Sequence, residues 1–211
     1  WDASHELKTP LAVIKANADV LENESGENEY LGYIKSEVNR ADSLVRNLLT
    51  LARMDRGTAD HEMSQLDMSE AVLSVLLPFE STVYEAGKKL ETDIAENVVI
   101  SGNEAMLQQL TVILLSNALK YSDEGGTIRV RLSKKGRGCE LRVENTGEGI
   151  GPEDISRIYD RFYRTDASRN SETGGEGLGL AIAESVVRIH QGRISAESKP
   201  GQWTVFTVIL P

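Results

Sequence analysis

One cysteine, Cys139, in 211 residues excludes a disulfide within a single chain. Its apolar setting, GCELRV, reads as a strand core position rather than a reactive thiol. Aromatic residues are sparse at 5%. No apolar run approaches the roughly 20 residues that cross a bilayer, and no basic-then-apolar leader precedes the first helix-like pattern. Positive charge is also short: 23 Lys and Arg face 33 Asp and Glu, a net charge of -10. With no local basic stripe to offset it, such a surface repels a phosphate backbone, so a nucleic-acid groove is excluded as a first reading. The chain has no initiator methionine and is periodic from the outset, so it reads as a soluble piece of a longer protein. Its hydrophobic content, 40%, suffices for one domain or two small ones.

The first fifty-odd residues have a helical period. Leu7, Leu11, Ile14, Ala18 and Leu21 step by three and four, and after the polar stretch ENESGENE a second stripe runs through Leu31, Ile34, Val38, Ala41, Val45, Leu48 and Ala52. Two such helices joined by a short loop predict an antiparallel hairpin over residues 1–57, and Leu44, Leu49 and Leu51 widen its apolar surface. A second copy would bury that surface as a four-helix bundle, so a homodimer is expected. Residues 58–66 are polar and aperiodic and read as a linker, with His61 a solvated loop histidine.

Residues 67–211 predict an α+β two-layer sandwich, with antiparallel strands and helices gathered on one face. Ser69 is expected to cap a helix reaching about Ala86. KLETDI and NVVIS read as strands, and a long amphipathic helix is predicted from Glu104 to Tyr121. A hairpin, TIRVRLS and CELRVEN, follows; a helix from about Leu178 to His190 and the strands RISAES and TVFTVIL close the chain. His190, at a helix end where the dipole favours a cation, reads as a structural cap.

Two glycine clusters flank the polar region between Pro152 and Gly177. Asn145, Gly147, Gly149 and Ile150 end a strand; Gly175, Gly177, Leu178, Gly179 and Leu180 lead into a helix. Glycine permits close backbone approach to a ligand, and a helix N-terminus presents N–H groups to phosphate. Asn117 and Lys120 share a face of the long helix, an amide oxygen suited to Mg²⁺ and a point charge suited to phosphate.

LLSNALKYS resembles the asparagine box of the histidine kinases, VENTGEGI their first glycine box, RIYDRFYRTD their aromatic box and GGEGLGLAI their second glycine box. SHELKTPL resembles the family's phosphoacceptor box, and all five follow the family's order. The resemblance implies a Bergerat-type ATP-binding fold after a dimeric phosphotransfer hairpin. On it, Asn117 ligates Mg²⁺, Lys120 meets the phosphates and Tyr121 walls the pocket of ATP. Asn145 stands where the family usually has Asp and accepts from the adenine amino group, losing the charge-assisted share of that bond, on the order of 1 kcal/mol. Gly147, Gly149 and Ile150 pass close to the purine, and Arg161 and Arg164 are triphosphate contacts. Asp166 to Glu176 forms an ATP lid, whose end (Gly175, Gly177, Leu178, Gly179, Leu180) lies on the phosphates. Ile113, Tyr159 and Trp203 depart from the usual Asn, Phe and Gly.

On the same resemblance His5 is the phosphoacceptor. It lies off the apolar stripe, so it is expected to face solvent. Its neutral imidazole has one lone-pair nitrogen for the γ-phosphorus, and Glu6 can hold the proton on the other. Thr9, one turn on, is placed to position a hydrolytic water, and Pro10 removes a helical N–H and predicts a kink. The implied function is an ATP-dependent protein histidine kinase that phosphorylates itself and passes the group to a response-regulator receiver domain, and that also acts as its phosphatase. A weak nucleotide-binding scaffold or phosphatase-biased sensor is the alternative. The resemblance also implies the cytoplasmic portion of a membrane-anchored bacterial sensor, with no membrane contact by these residues themselves.

Overall fold

The computed structural model describes residues 3–26, 28–56, 62–165 and 176–211, and the side chains of 9–24, 28–55, 62–165 and 176–211. The chain divides into two compact units, Trp1–Arg56 and Gly57–Pro211. His61, most of the lid segment and the lower part of the predicted linker lie outside the described residues.

In the first unit α1 (Ala3–Ser25) and α2 (Glu29–Arg56) form the hairpin. Gly26, at φ +80°, donates to Glu22 O at 2.8 Å and ends α1; the Asn28 side chain accepts from Tyr30 N–H at 2.8 Å and starts α2. Polar bridges set the register between helices. Lys15 Nζ donates to Asn39 Oδ1 at 3.0 Å, and Lys35 Nζ meets Asp19 at 2.7 Å and Glu22 at 2.6 Å. Those two carboxylates, Asp19 first, hold the Lys35 ammonium above the ordinary lysine range. The stripes divide: Ala18, Leu31 and Val38 are buried, whereas Ile14, Leu21 and Ile34 remain 43–51% exposed. α1 runs helically through Pro10.

The second unit begins with β1 (Ser64–Asp67), which pairs antiparallel with β3 (Val99–Gly102) as a two-stranded ribbon. Four residues without alternation give a sequence reader no strand signal. Then come α3 (Met68–Glu85), β2 (Lys89–Ile94), α4 (Glu104–Tyr121), β4 (Thr127–Lys135), β5 (Gly138–Thr146), α5 (Gly179–Ile189), β6 (Arg193–Lys199) and β7 (Trp203–Leu210). The cap of α3 is Asp67 rather than Ser69: its carboxylate accepts from Ser69 N–H at 2.8 Å. The Ser69 hydroxyl is spent elsewhere, donating to Ala95 O at 2.7 Å and accepting from Val98 N–H at 3.1 Å.

Five strands form the main sheet in the order β2-β4-β5-β7-β6. The all-antiparallel expectation is corrected at one pairing, because β2 runs parallel to β4. Between them the chain passes through β3 and α4, and such a crossover returns the strand in its original direction. Ile128, Val130 and Leu132 of β4 are buried on one face, while Arg129 and Arg131 on the other pair with Glu91, Glu144 and Asp93. That alternation makes one face apolar and one wet. α4 packs between α3 and α5 and against β5, and its Leu107, Leu110, Leu114 and Leu115 are fully buried. Cys139 is buried at the start of β5, and burial pushes its thiol up to about 11.

His190 ties the far ends of α5 and α4 together. Its Nε2 accepts from Asn103 N–H at 3.0 Å, and Nδ1 lies 2.8 Å from Val186 O. An N–H on one side and a carbonyl on the other fix the neutral tautomer with its proton on Nδ1. The residue is structural, as expected, but serves uncharged, not as a dipole-favoured cation.

Candidate nucleotide site and phosphoacceptor

The site is built along one edge of α4. Leucines occupy the buried face, so Ile113, Asn117 and Lys120 fall at its margin and Tyr121 is 43% exposed. Lys120 Nζ is buried and has no hydrogen-bond partner among the described residues; it lies over the Tyr121 ring, 5.0 Å from the ring centre. A buried unpaired cation is costly unless a counter-charge arrives. The Asn117 side chain also makes no hydrogen bond among the described residues, and no group of three or more acidic, His or Cys side chains there forms a metal cage.

At the C-terminal end of α4 the first glycine cluster closes on the helix. Asn145 is 3% exposed, and its Nδ2 donates to Thr146 O at 3.0 Å and Tyr121 O at 3.3 Å. Two carbonyl partners fix which way the amide points, leaving Oδ1 as the acceptor. A Cβ on Gly147 would lie 2.0 Å from Tyr121 O, so only glycine lets β5 pass this close to the helix end. Gly149, at φ +73°, has its Cβ position filled by Lys199 O. Ile150 N–H donates to Ser198 Oγ at 2.8 Å, and Gly147 N–H to Gln202 O at 3.2 Å. The β6–β7 turn thus carries the cluster, a support that the sequence reading missed because Ser198 looks like any exposed-strand serine.

At Ile113 the same edge meets α5. A Cβ on Gly179 would be 3.5 Å from Ile113 Cγ2. Among the described residues no side chain caps α5, whose first helical bond is Ile182 N–H to Leu178 O at 3.0 Å, so its leading N–H groups are not taken up by any of them. Leu178 is fully buried and Leu180 half-buried. Gly177, at φ +69°, lies against the Phe162 backbone, and Phe162 N–H donates to Gly177 O at 2.8 Å. This bond attaches the aromatic segment to the helix start, with Arg161 exposed and Arg164 half-buried on either side of Phe162. In that segment Tyr159 has a buried hydroxyl without a partner among the described residues; burial, then the charge of Glu184, pushes its phenol well above the ordinary range. Gly175 lies outside the described residues.

The backbones of His5 and Glu6 belong to the first turns of α1; their side chains, and so the expected solvent-facing imidazole, lie outside the described residues. Thr9, one turn on, is exposed.

Residues 102–211 match the family model described as histidine kinase-, DNA gyrase B-, and HSP90-like ATPase, and residues 2–57 match the His Kinase A (phospho-acceptor) domain. The chain belongs to the sensor histidine kinases. Among relatives of this kinase, the sensor protein DltS of Streptococcus agalactiae is 36% identical over 95% of the chain and 51% of its own length. The sensor-like histidine kinase SenX3 of Mycobacterium tuberculosis is 32% identical over 100% of the chain and 52% of its own. The chain thus spans about half the length of the curated relatives it matches. Full-length ShkA, solved in complex with AMPPNP, shares the fold at a TM-score of 0.78 and 23% identity, over 99% of this chain and 44% of that one. Among the described residues, no helix of the kinase is long and apolar enough to cross a membrane.

Proposed function

We propose that the kinase binds ATP along the α4 edge, transfers the γ-phosphoryl group to His5 and passes it to an aspartate of a response-regulator receiver domain. The observation that carries this reading is the Lys120 ammonium, buried and unpaired among the described residues on the helix whose edge meets the uncapped start of α5. A cation and free N–H groups on adjoining elements suit a polyphosphate. Arg161, Arg164, Gly175, Gly177, Gly179 and Leu180 complete the phosphate end. Asn145, Gly147, Gly149, Ile150 and Tyr121 hold the base, with Asn145 Oδ1 accepting from the adenine amino group, and buried Leu178 seats the start of α5. Asn117 offers one amide oxygen, which fits Mg²⁺ held mainly by phosphates and water. The ion would neutralise charge on the phosphates.

In the transfer the lone-pair nitrogen of His5 forms the new bond to phosphorus, the bond to the bridging oxygen breaks and ADP leaves. Glu6 takes the proton from the other ring nitrogen. Positioning and charge neutralisation supply most of the rate. Thr9 orients water for the phosphatase activity toward the regulator. The exposed Ile14, Leu21 and Ile34 support a homodimer through the hairpin. We assign the kinase to the cytoplasmic portion of a membrane-anchored bacterial sensor.

Incubation with γ-labelled ATP tests the reading. The wild type acquires acid-labile, base-stable label, His5→Ala acquires none, and Lys120→Met acquires it far more slowly. No label under any condition would favour a weak nucleotide-binding scaffold or a phosphatase-biased sensor, the reading that the missing carboxylate at Asn145 supports.

A further inference from the structure

Lys88 lies in the turn between α3 and β2, far in sequence from every motif of the site. Its backbone is fixed on both sides: Lys88 N–H donates to Val83 O at 3.0 Å, and Lys89 N–H to Gly126 O at 2.9 Å as β2 joins β4. From there its Nζ reaches the C-terminal end of α4 and donates to Leu119 O and Ser122 O, each at 2.7 Å. These two carbonyls bracket Lys120 and Tyr121, and Tyr121 O in turn accepts from Asn145. The last carbonyls of a helix have no partner within it and carry its negative end, so an ammonium there both satisfies and neutralises them. Burial lowers the Lys88 ammonium from the ordinary lysine range, against the pull of Asp123 and Glu124. It is therefore a partly desolvated cation committed to the helix end.

We infer that Lys88 is a positioning residue for the nucleotide site, holding the last turn of α4 so that Lys120, Tyr121 and the anchor of Asn145 keep their places. The inference rests on the reading of that edge as the ATP site. Without the clamp the final turn frays, and the ammonium and ring it carries lose their fixed direction toward the ligand. Lys88 touches no substrate in this scheme.

Mg·ATP binding and His5 phosphorylation by the whole chain, at a temperature well below unfolding, supply the test. Lys88→Met should raise Kd and KM for ATP about tenfold, equivalent to ~1.4 kcal/mol. Its kcat at saturating ATP should stay within about twofold, since ground-state and transition-state binding fall together. Lys88→Arg, whose guanidinium can span two carbonyls, should restore affinity. Lys88→Gln, with one short amide, should not, and it carries the test if the methionine variant fails to fold. Lys89→Met removes the same charge one residue away on an exposed strand position and should leave Kd unchanged. A Lys88→Met protein that melts earlier yet binds ATP with wild-type affinity would overturn the inference, as would equal weakening by Lys89→Met. Failure of the wild type to bind ATP would instead overturn the nucleotide reading, and this inference with it.

Discussion

Asn145→Asp restores the residue usual in the family, and the structure gives it an unexpected sign. The asparagine amide donates to Thr146 O at 3.0 Å and Tyr121 O at 3.3 Å in a place only 3% exposed. A carboxylate cannot donate. The substitution loses two bonds of about 0.5–1.5 kcal/mol each, the longer one at the low end. It also sets a negative oxygen among carbonyl oxygens away from water, adding about 1–3 kcal/mol. The total is about 3 kcal/mol of lost stability without nucleotide. For a unit of this size that lowers Tm by roughly 6–12 °C. The new carboxyl is better tolerated protonated, when its O–H can donate to one carbonyl, so its folded-state pKa lies above the unfolded value. Stability is then kept below the unfolded pKa and lost as pH rises through the folded one. Thermal melts of the ligand-free protein at pH 5 and pH 8 should show a deficit that widens toward pH 8. Equal or higher Tm than wild type at pH 8 would refute the role given to the amide.

Gly147→Ala should abolish the folded ATP-binding unit or lower its Tm by more than about 10 °C, because the new methyl would sit 2.0 Å from Tyr121 O. Gly32→Ala, by contrast, places its methyl in open space on α2 and should stabilise the hairpin by up to about 1 kcal/mol in a denaturant titration. Tyr159→Phe removes the unpaired buried hydroxyl and should raise the Tm of the ligand-free protein by a few degrees, about 1 kcal/mol; a fall would mean that the hydroxyl has a partner. The Cys139 thiol, raised to about 11 by burial, should resist a thiol reagent at pH 8 until the protein unfolds. Because its folded pKa exceeds the unfolded one, its share of stability persists below the unfolded pKa and is lost as pH rises toward 11.

Elements whose signals are local were legible in the sequence. α4 runs from Glu104 to Tyr121 as read, because its apolar spacing is strong and Asn103 caps it through Met106 N–H at 3.0 Å. The Asn117 and Lys120 edge followed from that helix alone. What escaped was decided by distant partners. The direction of β2 depends on a crossover, not on its own six residues. Asp67 and Ser69 are equally good caps by type, and only the Ala95 carbonyl, brought near by folding, takes Ser69 away. His190 looked like a charge at a helix end until Asn103 supplied an N–H that requires a bare ring nitrogen. Lys88 was one of two adjacent lysines at a strand start, with nothing local to mark which of them turns inward.

Among the described residues the sheet ends at two edges, β2 and β6, and both are written in charge. The β2 edge shows Lys89, Glu91 and Asp93 to solvent; the β6 edge shows Arg193, Glu197 and Lys199. A second molecule adding a strand at either margin would have to strip water from those groups and meet them in unfavourable alternation. Fusion of sheets into a continuous ribbon from molecule to molecule is thereby discouraged. In the homodimer proposed above, self-association would be left to the apolar side of the hairpin, with the sheet margins taking no part.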